Sequence, residues 1–258
     1  MVVAIVAATL AIGVSAVAQQ PRNTFGIVSD DEYTPDGSEN ERYSGRFQFV
    51  RLSYPYSLSG FGRAGRLAPW AHDYPRGERH YMQILTDLTL LKARTSGSNT
   101  FGLADPELLQ YPFAYMSEPG FWRLGPDEAE GFRQYLLKGG FAMFDDFRGQ
   151  DWDNLREQMQ QVLPDLHFQE LTGREAIFHA FFEIPDPHVL PAPYGGLPAS
   201  YWGIFEGNDV TRRMLVIANV NNDMSEYWEY SDQGFAPVDV SNEAYKFGVN
   251  YVIYALTH

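Results

Sequence analysis

From Phe47 to the C-terminus, short apolar runs of strand length alternate with longer segments of helical period. This alternation constrains the chain more than any other feature, because it is the pattern of strands covered by helices, an α/β layer structure. Phe47, Phe49, Arg51 and Ser53 alternate with Gln48, Val50, Leu52 and Tyr54 in the expected first strand. Residues 76–94 have a helical period, with Tyr81, Ile84, Leu85, Leu88 and Leu91 on one face. Pro112 opens a strand over residues 113–116. The next helix is expected over 126–138: Pro126 takes its first position, Asp127 and Glu128 its first turn, and Gly139-Gly140 its end. It leads into a strand over 141–144, and Trp152, Leu155, Met159 and Val162 mark a third helix stopped by Pro164. Strands near 201–205 and 214–219 follow, then a closing helix from about Asn242 to Leu256 behind Ser241 as its cap. The proline-rich stretch 184–199, with Gly195-Gly196, has the character of a long surface loop, a common setting for binding loops and lids. In the absence of a repeat or a second linker, residues 45–258 are expected to form one domain.

Composition supplies the core and removes several chemistries. Hydrophobic residues make up 45% of the chain and aromatic residues 15%, enough apolar surface for a sizeable interior. The 33 acidic against 19 basic side chains give a net charge of -14, which opposes nonspecific nucleic-acid binding and docking on anionic membranes. There is no cysteine, so disulfides, thiolate zinc sites, Fe-S clusters and a cysteine nucleophile are excluded. Residues 1–18 carry no charged side chain and end in Ala16-Val17-Ala18, the form of a secretory signal peptide, so a periplasmic or secreted location is expected. A segment left uncleaved would instead act as a membrane anchor. Residues 19–44, with Asp30, Asp31, Glu32, Asp36, Glu39 and Glu41 around Pro35 and Gly37, form an expected acidic, flexible linker.

Several short motifs lose their function when their surroundings are considered. Gly60-Phe61-Gly62-Arg63-Ala64-Gly65 has the letters of a dinucleotide fingerprint, but Pro69 and Pro75 interrupt the helix that those glycines should open. No GxSxG, SxxK, HExxH or Walker A sequence occurs, and no cofactor is expected. His167 with Glu170, and His179 with Glu183, have spacings able to chelate a metal on a helix, yet His179 lies in an apolar run. No metal site is assigned there. For His72, His80 and His188 the sequence is silent.

Asp145-Asp146 directly follows the strand 141–144, and in open parallel sheets ligands sit beyond the carboxyl ends of strands. The pair therefore offers a metal ligand, a general base or a hydroxyl acceptor. The structural alternative is a turn in which one Asp accepts backbone N–H groups while the other is solvated. Asn222 and Asp223, then Trp228 and Glu229, follow the strand 214–219 and are candidates for the same crevice. Turn formation by Asn and Asp is the competing explanation, and Trp228 serves equally as a stacking platform or as packing under a loop.

These pieces resemble a bacterial family known as domain of unknown function 4159. The matching stretches are Trp70 with Asp73-Tyr74-Pro75, Leu88-Thr89, Asp105-Pro106, Tyr111-Pro112-Phe113, Tyr115-Met116, Gly139-Gly140-Phe141 with Asp145-Asp146, Asn222-Asp223 with Tyr227-Trp228-Glu229, and Gly248-Val249-Asn250-Tyr251. The resemblance implies a class I glutamine amidotransferase-like fold, a three-layer flavodoxin-like sandwich with a mostly parallel sheet and helices on both faces. Catalytic members of that fold place a cysteine on a strand-to-helix elbow, so amidotransfer by that route is excluded. What the resemblance leaves is a non-catalytic binding or scaffold domain for a small ligand or an envelope protein. The alternative is a carboxylate-dependent hydrolase acting on a carbohydrate or envelope polymer.

Overall fold

A computed structural model describes residues 32–56, 67–193 and 196–258. The expected signal segment 1–18, the first half of the linker, the glycine run 60–65 and Gly195 lie outside the described residues. The strands are β1 (Val50–Ser53), β2 (Asn99–Gly102), β3 (Phe113–Ser117), β4 (Phe141–Asp145), β5 (Gln169–Glu170), β6 (Ser200–Phe205) and β7 (Met214–Val220). The helices are α1 (Arg76–Leu88), α2 (Pro126–Leu137), α3 (Asp151–Val162), α4 (Met224–Glu229) and α5 (Val238–Thr257).

The strands form one seven-stranded sheet in the order β2-β1-β3-β4-β7-β6-β5. From β2 to β7 all neighbours are parallel, whereas β6 runs antiparallel to β7 and β5 antiparallel to β6. The fold is thus mixed α/β with a mostly parallel sheet and an antiparallel edge. Strand alternation divides the interior in two. Phe113, Tyr115, Phe141 and Met143 pack with Tyr81 and Leu85 of α1 and with Phe247 and Tyr251 of α5. Ala114, Met116, Ala142 and Phe144 point the other way, to Phe132 and Leu136 of α2 and Leu155 and Met159 of α3. Because the central strands are buried on both sides, they read as continuous apolar runs.

Local signals explain most boundaries. At α2 the N–H of Gly125 donates to Glu128 Oε2 at 2.8 Å, and Gly139 follows the helix with φ 116, a conformation open to glycine. Helix α1 stops at Leu88, short of the expected 94, because Thr89 is extended and its hydroxyl takes the Leu85 carbonyl at 2.6 Å. The closing helix begins at Val238, and Ser241 is inside it: its N–H donates to Pro237 O at 3.1 Å, so Pro237 holds the cap position. The proline-rich loop is pinned, with Ile184 and Leu190 buried and Tyr227 OH donating to Pro191 O.

The described half of the linker expected over 19–44 is mostly exposed, and it is fastened to the edge of the sheet. Asn40 brackets Thr100 of β2, donating to its carbonyl and accepting from its N–H, both at 2.8 Å. Asn99 and Glu41 exchange a second such pair, and Tyr33 packs edge-on against Tyr74. The Asn side chains act as backbone mimics and give this acidic segment a fixed course. Among the described residues no helix is long and apolar enough to cross a membrane.

Candidate functional site

The polar centre lies where β3, β4 and β7 end, as expected for a parallel sheet. Asp145, fully buried as the last residue of β4, accepts from Asn219 Nδ2 at 2.9 Å and from the N–H groups of Met224 and Ser225 at 2.8 and 3.1 Å. It thereby fastens the start of α4 to the sheet, while Tyr251 OH of α5 donates to Asn219 Oδ1. Burial pushes the Asp145 carboxyl up to about 7, with the Asn219 amide pulling against it. These bonds orient the elements around the site.

Asp146 leaves the strand in the left-handed region with φ 55, which turns its side chain away from that of Asp145. Asp146 Oδ2 lies 2.8 Å from His72 Nδ1 and accepts from Ser117 Oγ at 3.3 Å. Although burial opposes its charge, His72 holds the Asp146 carboxyl below the usual range, with Asp223 in hydrogen-bond reach. The His72 imidazole is raised well above its ordinary value, because Asp73 and then Asp146 outweigh its own burial.

Asp223 caps α4, its Oδ1 accepting from Glu226 N at 2.9 Å. Ser225 Oγ accepts from Tyr115 OH at 2.8 Å and lies 2.5 Å from Asp73 Oδ2 and 2.9 Å from Asp223 Oδ1. One hydroxyl hydrogen cannot serve two carboxylates at once, so a proton is needed on the carboxyl side. Burial, with Asp146 and Asp73 adding to it, raises Asp223 well above the carboxylate range. Asp73 is itself fully buried with φ 65, and its Oδ1 makes no hydrogen bond. Glu226 and Glu229 close the group from α4. Burial and the adjacent Asp73 push Glu229 up to about 10.

Two arginines act on this region. Arg148 lowers Asp146. Arg51, buried in β1, is held by Glu78 at 2.5 Å and donates to the carbonyls of Trp70 and His72 at 2.7 and 2.9 Å. It carries the segment that presents His72 and Asp73.

Of the residues expected from sequence, Asp145, Asp146, Asp223 and Glu229 come together here. Asn222 supports the turn, donating to Tyr201 OH at 3.0 Å and accepting from Asp223 N–H. Trp228 is not a platform in a crevice: it is 1% exposed and stacks on Tyr81 with centroids 4.5 Å apart, because α4 turns it into the core. His179 and Glu183 pair with each other at 2.5 Å, and His80 bonds Trp228 O, all outside the cluster. Sequence reasoning missed Arg51, His72, Asp73, Ser117, Ser225 and Glu226. The one usable signal was Asp73 between Trp70 and Pro75 in the family pattern.

Metal-competent side chains occur twice among the described residues. His72, Asp73, Asp146 and Asp223 offer one ligand atom each, all within 4.8 Å of one another, and Asp73, Glu226 and Glu229 do likewise. Two surface cavities, of about 220 and 450 Å³, lie apart from them along the linker and the start of β1.

Fold and site together define an α/β domain with a mostly parallel sheet and an acidic polar centre at the carboxyl ends of its strands. The chain belongs to the family described as Domain of unknown function (DUF4159), whose model matches residues 49–256, from the start of β1 to the end of α5. No curated protein matches it.

Proposed function

We propose that this protein is an exported, non-catalytic binding domain with an amidotransferase-like, flavodoxin-like fold, and that its ligand is a small electropositive group held at the acidic centre. The strand order supports the flavodoxin-like reading: β2-β1-β3-β4-β7 follows the 2-1-3-4-5 order of that fold, with apolar clusters on both faces. The absence of cysteine fits a descendant that has lost amidotransfer. Export rests on the form of residues 1–18 and is checked by N-terminal sequencing of the secreted protein.

One observation carries the choice of ligand. Asp73, Asp145, Asp146, Asp223, Glu226 and Glu229 are buried in one region, where Arg51 is committed to Glu78 and His72 and Arg148 are the cationic neighbours of Asp146. Buried carboxyl groups in excess of cations are costly unless protons or a ligand compensate them. The His72 and Asp146 side chains are only 14% and 9% exposed, which suits an ion or a single amine rather than a polymer. A thermal-shift panel of alkylamines, polyamines, monosaccharides and divalent cations tests this reading. At least one cationic probe should raise the melting temperature of the wild type and leave Asp146→Asn unmoved. A panel in which only sugars act would overturn it.

The hydrolase reading draws on Asp146 and Asp223, neighbours pushed in opposite directions, a pattern that divides acid and base roles. Their ligand atoms lie within 4.8 Å, closer than the roughly 5 to 9.5 Å spanned by glycosidase pairs, which weighs against glycoside cleavage by this pair.

A further inference from the structure

We infer that His72, Asp73, Asp146 and Asp223 form a binding site for one first-row divalent cation, Mn²⁺ or Zn²⁺; this rests on the electropositive-ligand reading above and makes it specific. Four donors from three separate segments converge there, each with one ligand atom within 4.8 Å of the others. His72 Nδ1 lies 2.8 Å from Asp146 Oδ2 and 3.4 Å from Asp73 Oδ1. Neighbouring ligands on an ion with bonds of about 2.0–2.2 Å sit about 3 Å apart, which the His72–Asp146 and His72–Asp73 separations match to within a few tenths of an ångström.

Asp73 Oδ1 gives the independent observation. It is fully buried and accepts no hydrogen bond, whereas Asp73 Oδ2 is satisfied by Ser225. A buried carboxylate oxygen with no donor demands a partner, and this one faces the His72 imidazole. Surrounding groups hold the other donors in place: Ser117 on Asp146, the Glu226 N–H on Asp223, and Arg51 on the His72 carbonyl. Such support is typical of the shell around metal ligands.

The donor set selects the ion. One imidazole with three carboxylates, and neither thiolate nor thioether, suits Mn²⁺ or Zn²⁺. Calcium takes six to eight oxygens and magnesium keeps most of its waters, so both fit a histidine-bearing set less well.

The test uses the full-length chain stripped with a chelator and then dialysed. Isothermal titration with MnCl₂, ZnCl₂, CaCl₂ and MgCl₂ should give one equivalent of Mn²⁺ or Zn²⁺ bound at least tenfold more tightly than Ca²⁺ or Mg²⁺. Asp146→Asn and Asp223→Asn should each weaken that binding at least tenfold; Asn keeps the α4 cap, and circular dichroism verifies the fold. Should either fail to fold, His72→Gln is the replacement. Glu183→Gln, at the surface His179 pair, should bind normally. Metal binding lost in Glu183→Gln but kept in the cluster variants would overturn the inference, as would a folded wild type that binds no metal. If an alkylamine or polyamine still raises the melting temperature in an Asp146-dependent way, the electropositive-ligand reading stands and only the metal falls. If no cation of either kind acts, both fall.

Discussion

Two groups of buried charge lie side by side around the β1–α1 connection, and they are compensated differently. Arg51 meets Glu78 at 2.5 Å, spends another nitrogen on two carbonyls, and lies 4.9 Å from the centre of the Tyr115 ring. Its cation and anion balance within the protein. Close by in space, Asp73 and Asp146 share His72, and Asp73 and Asp223 share the Ser225 hydroxyl. The first group is a finished piece of scaffold. The second is organised as carefully but gathers more carboxyl groups than cations, so protons or a ligand must complete its balance, and that separates a site from a strut.

Breaking the finished pair should have the largest effect. Arg51→Met leaves Glu78 buried without its cation and is expected to cost about 3–5 kcal/mol, measured by urea denaturation. Arg51→Met with Glu78→Leu should recover most of that loss, because a buried pair replaced by apolar side chains is often neutral. A double variant no more stable than Arg51→Met would show that the carbonyl contacts, rather than the pair, carry the energy.

The next effect is at Asp145. Asp145→Ala strands three donors and should cost about 1–3 kcal/mol. The same residue gives the metal-free protein a pH dependence. Its folded carboxyl is raised to about 7 from an ordinary 3.8, so its stabilising contribution is full below about pH 4 and fades as pH rises through 7. His72, also raised, acts in the same direction above its ordinary value. Metal-free protein should therefore be more stable at pH 5 than at pH 8, with the raised Asp223 and Glu229 carboxyls adding in the same direction. Asp145→Asn should flatten that slope, and an unchanged slope would assign the protons elsewhere.

Smaller effects are expected inside the acidic group. Asp146→Asn removes a negative charge and Asp223→Asn a carboxyl already raised well above its ordinary range, each keeping an acceptor. Their stability in the absence of ligand should be unchanged or raised by up to about 1 kcal/mol. A loss comparable to that of Arg51→Met would mean the two groups are alike after all. The smallest effect belongs to the surface: Glu183→Gln, beside the partly exposed His179, should change stability by less than about 0.5 kcal/mol.

Much of the scaffold was legible because it is local. Pro126, Glu128 and Gly139 mark the ends of α2 wherever the helix goes, and the run Phe141–Phe144 can only be a buried strand. Strand direction was not legible, since nothing in Ser200–Phe205 distinguishes antiparallel from parallel pairing. Asp145, Asp146 and Asp223 were visible from their place after strands. His72 and Asp73 were not, because they lie between Pro69 and Pro75 in a segment without periodicity, held there by an arginine some twenty residues earlier. Trp228 stayed open between platform and packing because a helix as short as α4 shows no apolar stripe, so the face on which its tryptophan falls is set only by packing.

The Asn40 and Glu41 contacts also bear on how the molecule keeps to itself. Strand β2 is the outer strand on its side of the sheet, and an uncovered edge of this kind invites pairing with another chain. Asn40 occupies both backbone groups of Thr100, which a stray strand would otherwise use. At the opposite edge, β5 is only two residues long and offers little to pair with. The acidic segment before the domain thus covers part of this edge, and trimming the chain to begin at residue 45 is expected to uncover the Thr100 backbone.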